Sequence, residues 1–208
     1  MEHPVREIGS IIQTLTTGSP GEQLDTLNKF FVSDASFTHP FCHVPSFKKG
    51  TIPFARNIDS RWILLCIYRW YRTLSPTIDI TIESAVFNQS TNCLFVNIHQ
   101  TFAVWFVPLY RADVSLITVL KLEQRTSQSS NGTTALSGPG QERAKYYISS
   151  QEDFYQMNDC VQFLVPRVGQ WLWRLWQLFS TWLCVVLSLM FLPVYYTMNS
   201  GKAAKKVT

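Results

Sequence analysis

From Leu175 to Tyr196 no side chain carries a formal charge, and three lysines, Lys202, Lys205 and Lys206, close the tail. An α-helix needs about 20 mostly apolar residues to cross the hydrocarbon core of a bilayer, and this stretch meets that length with little to spare. Trp171, Trp173 and Trp176 stand at one boundary and Tyr195 and Tyr196 at the other, where amphipathic rings prefer to lie. The alternative is a buried core helix, but so many rings between Trp171 and Tyr196 would need a large partner surface to hide them. The expectation is a transmembrane helix over 175–196 and a basic tail over 197–208.

Just ahead of the span, Arg167, Gln170, Arg174 and Gln177 recur at three- and four-residue steps, one stripe of a helix that begins near Pro166. This segment, 161–174, reads as an amphipathic interfacial helix with its arginines toward lipid phosphates. It reads equally as an extension of the spanning helix, with Arg174 snorkelling to the surface. Met1 to Gly18 contains Glu2, His3, Arg6, Glu7 and Ser10 and so lacks the apolar core of a secretory signal. The chain is therefore expected to be tail-anchored, with membrane lipids as partners and its main domain in the cytosol. Endoplasmic reticulum, lipid droplet and mitochondrial outer membrane stay open, as does a shallow hairpin bending near Pro193. Two glycosylation acceptor patterns, Asn88-Gln-Ser and Asn131-Gly-Thr, would be silent in the cytosol.

Without the anchor, the 208-residue chain leaves enough for one domain, 1–160, with a real core. The net charge of +4 is modest and dispersed, so nucleic acid is not an implied partner. Five cysteines, Cys42, Cys66, Cys93, Cys160 and Cys184, are an odd number with the last in the span, which argues for reduced thiols rather than a disulfide framework.

The order of elements is helices first, then strands. Val5, Ile8, Ile11, Ile12 and Leu15 give a short amphipathic helix. Ser19-Pro20-Gly21-Glu22 reads as a capping box before a second helix through Leu24, Leu27, Phe30 and Phe31. Ala35 to His39 is a short strand, and Pro40, Pro45, Gly50 and Pro53 make a loop. A third helix, Asp59 to Leu74, puts Ile63, Cys66, Ile67, Trp70 and Leu74 on one face and Arg61, Tyr68, Arg69 and Arg72 near the other. Three β-prone runs follow, Ile78–Phe87, Cys93–Phe106 and Ala112–Leu122, with period-two alternation clearest in the first. Thr126 to Arg143 is serine-, glycine- and threonine-rich and reads as a mobile loop (126–143). Lys145 to Ser149 is the expected last strand, and Gln151 to Val165 a helical lead to the membrane. This is an α+β order with helices covering one face of an antiparallel sheet.

The runs Ala35-Ser-Phe-Thr-His-Pro-Phe-Cys42, Ser60-Arg-Trp62, Ile67-Tyr-Arg-Trp-Tyr-Arg72, Val107-Pro-Leu-Tyr-Arg111 and Tyr146-Tyr-Ile-Ser-Ser-Gln-Glu-Asp-Phe-Tyr155 resemble fungal SigF-like proteins with a nuclear transport factor 2-like domain and a C-terminal membrane segment. The resemblance covers nearly the whole chain. It implies a cone, a strongly curved sheet wrapped around three helices with an apolar pocket in its mouth. Related cones serve as isomerases, SnoaL-like cyclases, dehydratases, ligand carriers and adaptors, so the fold leaves function open.

Chemistry-bearing residues are few. His39, Cys42, His43 and Asp34 offer metal-type donors, yet they sit on an irregular loop without a paired cysteine motif, so no metal and no cofactor is expected. For acid/base work the candidates are His39, Asp79, His99 and Asp153, in that order. His39 with Asp34 would form a histidine–carboxylate pair if the turn before the strand folds Asp34 back. Alternation groups His99 with Asn97 and Thr101, the company of a solvent-facing or structural histidine. Tyr68, Trp70 and Tyr110 are the expected pocket walls. Three functions follow: a membrane-anchored domain binding an apolar small molecule or lipid; an isomerase, cyclase or dehydratase of fungal secondary metabolism, acting on terpenoids or polyketides by proton transfer; and a non-catalytic membrane adaptor. A homodimer is among the expected partners.

Overall fold

Pro4, Ile8, Ile11 and Leu15 fall on one helical stripe. In the computed structural model, which describes residues 1–107, 110–126, 144–164 and 168–194, they are the buried face of α1 (Pro4–Thr17). The capping box is formed at the start of α2 (Pro20–Phe30): the Glu22 amide donates to Ser19 Oγ at 3.4 Å and the Ser19 amide to Glu22 Oε2 at 2.8 Å. Proline at the first helical position costs no amide donor, because that donor has no partner within the helix. Asp59 caps α3 (Ser60–Leu74), its Oδ1 accepting from the Trp62 amide at 2.9 Å.

Six strands form one sheet: β1 (Phe31–His39), β2 (Cys42–Val44), β3 (Asp79–Asn88), β4 (Cys93–Ala103), β5 (Arg111–Thr126) and β6 (Ala144–Tyr155), in spatial order β2-β1-β6-β5-β4-β3. Every pair is antiparallel except β1 with β6, which run parallel with Phe37 beside Gln151. Register shifts between Phe31 and Ser36, Ile82 and Ser84, and Lys121 and Leu122 mark where the strands bend, the device by which a sheet curls. On its inner face Leu94, Val96, Ile98, Leu116, Leu120, Leu122 and Ile148 join Ile8, Ile11 and Leu15 of α1, Leu27 of α2 and Leu64 and Leu65 of α3 in one core. The expected α+β architecture with helices inside a curled sheet is the one observed.

Three boundaries differ from the sequence reading. β1 starts at Phe31, straight out of α2, because Phe31 and Val32 are both buried while Leu24 is exposed. The segment expected as loop after Pro40 contains β2, which returns on β1 with Phe37 opposite Val44. β6 runs on to Tyr155, where a helical lead was expected; helix resumes only as α4 (Met157–Leu164). Of the serine-rich 126–143 segment, Thr126 ends β5 and the remainder lies outside the described residues.

Met1–Cys160 and Val161–Thr208 are separate compact units. In the second, α5 (Val168–Met190) is an unbroken helix of 23 residues, about 34 Å long at 1.5 Å per residue. Its most apolar window has a mean hydropathy of 1.3, with none of that window buried. Arg174 lies within this continuous helix, so the backbone runs unbroken from Val168 across the expected start of the span at Leu175. Arg167, Tyr195, Tyr196 and the basic tail lie outside the described residues. All five cysteines are free thiols.

Ser60 opens α3 fully buried, and its hydroxyl has no hydrogen-bond partner among the described residues. Leaving such a group unsatisfied costs roughly 1–3 kcal/mol, and alanine is also the better helix former. Ser60→Ala is therefore expected to stabilise the first unit by about 1 kcal/mol, read as a rise in urea midpoint of the full chain; a loss of that size would mean that the hydroxyl has a partner.

Candidate functional site

β5 alternates exposed Arg111, Asp113, Ser115 and Ile117 with buried Ala112, Val114, Leu116, Thr118 and Leu120, the period of a strand with one face in the core. Thr118 is the polar member of that inner row. Across the β5–β6 ladder Thr118 lies opposite Asp153, with Leu120 opposite Gln151 and Leu116 opposite Tyr155, so β6 lays Gln151, Asp153 and Tyr155 on the inner face. The β1–β6 register pairs Phe37 with Gln151 and Thr38 with Glu152; continued one step, it brings His39 level with Asp153.

The Asp153 carboxyl is aimed by its neighbours. Thr118 Oγ1 donates to Oδ1 at 2.7 Å, and Gln151 Nε2 donates to Oδ1 at 3.1 Å and to Oδ2 at 3.3 Å. The Tyr68 hydroxyl donates to Gln151 Oε1 at 2.7 Å, which fixes the amide so that its NH₂ must point at the carboxyl. Oδ2 is the less engaged oxygen and the place for a proton. Burial pushes the carboxyl up to about 6, against the opposing pull of the Thr118 and Gln151 hydrogen bonds. Asp153 and Tyr68 keep some accessible surface even though protein encloses their polar ends closely enough to dominate their titration.

His39 completes the cluster. Its ring stacks near Phe37, with centroids 6.2 Å apart, and meets Phe41 and Tyr71 at 5.5 Å and Tyr155 edge-on at 5.0 Å. Nδ1 accepts from the Phe41 amide at 3.3 Å and faces the Tyr71 hydroxyl at 3.2 Å. Burial brings the imidazole down to about 4, so at neutral pH it is uncharged. With Nδ1 accepting from the amide, the proton sits on Nε2. Cys42 Sγ lies 3.7 Å from the Tyr71 hydroxyl, and its thiol is pushed up by burial. Gln100 Nε2 donates to the Tyr155 hydroxyl at 3.1 Å. Among the described residues no three His, Cys, Asp or Glu side chains gather as a metal site.

Several expected site residues are placed differently. Asp34 does not pair with His39: β1 is extended through this position, so alternation turns Asp34 away from Ala35, Phe37 and His39, and its carboxylate sits 3.8 Å from Lys48 Nζ. Trp70 is 59% exposed. α3 is rotated so that Ser60, Leu64 and Leu65 are buried and Tyr68 and Tyr71 reach interior partners. Arg61 is drawn over the protein in that orientation, its Nη1 donating to the Phe31 carbonyl at 3.1 Å. Tyr68, an expected pocket wall, joins the cluster through its hydrogen bond to Gln151. Tyr110 is half-buried just before β5, its amide bonded to the Val107 carbonyl at 3.2 Å. His99 is exposed on the outer face at 3.2 Å from Ser115 Oγ, and Asp79 is exposed at the start of β3. Trp171 and Trp176 are exposed along α5.

Asp153 stood last among the acid/base candidates, and Gln151, Tyr155, Tyr71 and Thr118 were not singled out. The signal was in the chain: Gln151, Asp153 and Tyr155 alternate with Ser150, Glu152 and Phe154. The strand is inverted, with Phe154 55% exposed outside and its polar members inside.

A family model, the SigF NTF2-like domain, matches residues 1–194. No curated protein matches the chain in sequence. Among solved structures, a ketosteroid isomerase-like protein from Catenulispora acidiphila, in complex with trimethylamine, is 13% identical with a TM-score of 0.47, covering 74% of this chain and 88% of its own. A protein from Jannaschia sp. assigned as a SnoaL-like polyketide cyclase is 10% identical with a TM-score of 0.45, covering 77% and 93%. An epoxide hydrolase of Mycobacterium tuberculosis, M.tuberculosis LEH-like in its description, is 10% identical with a TM-score of 0.44, covering 79% and 99%. These likenesses are to the fold.

Asp153 and His39 act on stability in opposite senses. The Asp153 carboxyl holds its proton more tightly folded than unfolded, so its contribution is full below about pH 4 and lost as pH rises through about 6, a change of roughly 3 kcal/mol at the limit. His39 holds its proton less tightly folded, so its contribution is present above about 6.5 and lost as pH falls toward about 4. Over pH 4–6 the two slopes oppose. Urea unfolding of the full chain in mild detergent should therefore give a flat profile there, and Asp153→Asn a profile that rises with pH. An Asp153→Asn curve parallel to the parent would mean that the carboxyl titrates normally.

Proposed function

We propose that this chain, which belongs to the SigF NTF2-like family, takes a small apolar molecule bearing a carbonyl oxygen against the inner-face cluster at Asp153 and moves a proton on it. The Asp153 carboxyl carries the reading. It is enclosed, aimed by Thr118 and Gln151, brought to about 6, and among the described residues no cation pairs with it. At neutral pH an unpaired enclosed carboxylate lowers stability, which a purely structural aspartate would have no reason to do. Perturbed carboxyls of this kind concentrate at sites of proton transfer.

Around neutral pH the Asp153 carboxylate accepts, at Oδ2, a proton from the C–H beside the ligand carbonyl. The C–H electron pair becomes the carbon–carbon double bond of an enolate, and the negative charge moves to oxygen. His39, uncharged with its proton on Nε2, has a donor for that oxygen while Nδ1 is held by the Phe41 amide and Tyr71. Return of the proton to another carbon is isomerisation, loss of a β-hydroxyl as water is dehydration, and attack on an electrophilic carbon is cyclisation. Phe37, Tyr68 and Tyr155 supply apolar walls, which suit terpenoid or polyketide skeletons. His39 thus serves as a donor rather than the base, and Asp34 takes no part.

A second reading is binding without turnover. The Tyr68 hydroxyl already donates to Gln151, and the Tyr71 hydroxyl is engaged with His39, which leaves few donors for an oxyanion and suits a carrier for a small molecule or lipid. Deuterium exchange separates the two. The full chain is incubated in D2O with a panel of apolar β,γ-unsaturated and β-hydroxy ketones, and label at the α-carbon is read by mass spectrometry. Exchange should rise as pH passes about 6, and Asp153→Asn should lose on the order of 100-fold or more. Exchange indifferent to Asp153→Asn would sink the enzymatic reading, and a retained compound without exchange would establish the carrier.

The membrane reading rests on α5, which is 23 residues long, carries one charged residue, Arg174, and buries none of its apolar window. Trp171 and Trp176 are exposed near its start, as interfacial anchors would be. On this reading α5 spans the bilayer and leaves the Met1–Cys160 unit in the cytosol. Asn88 reports on that directly. It is exposed at the end of β3, and its Oδ1 accepts from the Ser90 amide at 3.0 Å. Translated into microsomes, the chain should resist alkaline extraction and remain unmodified at Asn88; a glycosidase-sensitive mass increase lost in Asn88→Gln would put the domain in the lumen.

A further inference from the structure

The connection between β4 and β5 presents three apolar side chains to the outside: Trp105 is 70% exposed, Phe106 55% and Val107 40%. The backbone beneath them is tied down. The Trp105 amide donates to the Leu74 carbonyl at the end of α3, the Ala103 amide to Ser75 Oγ at 3.1 Å, and the Val107 amide to the Val104 carbonyl at 3.1 Å. The Trp105 and Phe106 rings meet edge-on at 5.5 Å. These rings are thus held out on a fixed support rather than on a loose strand end. Trp70, also exposed, lies one turn before Leu74 on the same stripe of α3.

This tip stands at the end of the sheet that holds the polar cluster. Phe102, the last inward residue of β4 before the tip, meets the Tyr71 ring edge-on at 6.5 Å, and Tyr71 reaches His39. Phe41, 52% exposed, contacts the His39 ring from the same end. The opposite end of the sheet carries the polar turn Gln89–Asn92.

We propose that Trp105, Phe106 and Val107 insert into the surface of a lipid bilayer, so that the end of the sheet bearing His39 and Asp153 receives its apolar ligand from the membrane. The proposal rests on the reading of α5 as a bilayer anchor. A chain with that helix meets lipid at high effective concentration, and a second contact then needs little intrinsic affinity. Tryptophan with phenylalanine is the composition that suits the headgroup layer. A solvent-facing tip would expose this apolar surface at a cost. Arg111, 69% exposed just after the tip and shared with Asp113 at 3.7 Å, and Arg72, bonded to the Pro76 carbonyl, place cations at the same end, where anionic headgroups would attract them.

The test is site-specific crosslinking of the full chain in vesicles of phosphatidylcholine with phosphatidylserine. A benzophenone amino acid replaces Trp105 in one variant and Thr91, exposed in the far turn, in another. After flotation and illumination, lipid adducts at position 105 should exceed those at position 91 on the order of tenfold. Equal or absent lipid adducts at the two positions in chains that float overturn the proposal and leave the anchor intact. Adducts at 105 to a second protein chain overturn it in favour of a protein interface. Chains that neither float nor form adducts overturn both the proposal and the anchor.

Discussion

The parallel pairing of β1 with β6 is the constraint on which the rest of the first unit depends. Parallel neighbours cannot be joined by a hairpin, and here the partners are the first and last strands of the sheet, with Phe37 beside Gln151. Closing so long a loop is entropically unfavourable before any contact repays it. Once made, however, this pairing brings His39 level with Asp153 and lets Tyr68 reach Gln151 across a sequence separation of 83 residues. The antiparallel ladders from β3 to β6 could form from neighbouring segments alone, but without β1 they would enclose nothing.

What that enclosure holds is chemically uneven. Leu94, Val96 and Ile98 make an ordinary apolar row along β4, while in the same rows Thr118, Gln151, Asp153 and Tyr155, with His39, collect on β5, β6 and β1. Most of the polar atoms there satisfy one another: hydroxyl to amide, amide to carboxyl, hydroxyl to imidazole. Such networks specify one arrangement when complete and are costly when not. Asp153 is the member that remains unbalanced, because neutral donors cannot supply the opposing charge that its ionised form lacks. The apolar rows give stability and the polar cluster spends some of it, as expected where function and folding compete for the same interior.

Legibility followed the same division. Where hydrophobicity and backbone chemistry agree, the sequence spoke clearly: the α1 stripe, the Ser19–Glu22 box and the alternation of Ile80 and Ile82 with Asp79, Thr81 and Glu83 in β3 all match the structure. Reading failed where side chains with polar tips face inward. By spacing Tyr68 falls near the polar side of α3, although it is an expected pocket wall, Trp70 falls on the apolar side and Tyr71 draws no notice, because residue polarity says nothing of an interior partner such as Gln151 or His39. β6 beyond Ser149 looked like the approach to a helix, since an inner row of Gln151, Asp153 and Tyr155 with Phe154 outside reverses the usual pattern. Asp34 was a local guess about a turn, and it failed because Phe31 and Val32 begin the strand early. The residues hardest to read are thus the ones that form the candidate site.

The position of β6 in the chain also orders events during synthesis. The sheet cannot close around its helices until Tyr155 has been made, and α5 ends roughly 35 residues later, which at 5–20 residues per second is an interval of about 2–7 s. Closure of a sheet with such distant partners falls in the slower range of domain folding. The ribosome therefore delivers an apolar helix with little delay after the strand that completes the domain. Any slowing of β1–β6 pairing would leave open sheet edges and a bare apolar helix on the same nascent chain, and whatever first covers α5 would do so beside a domain still assembling.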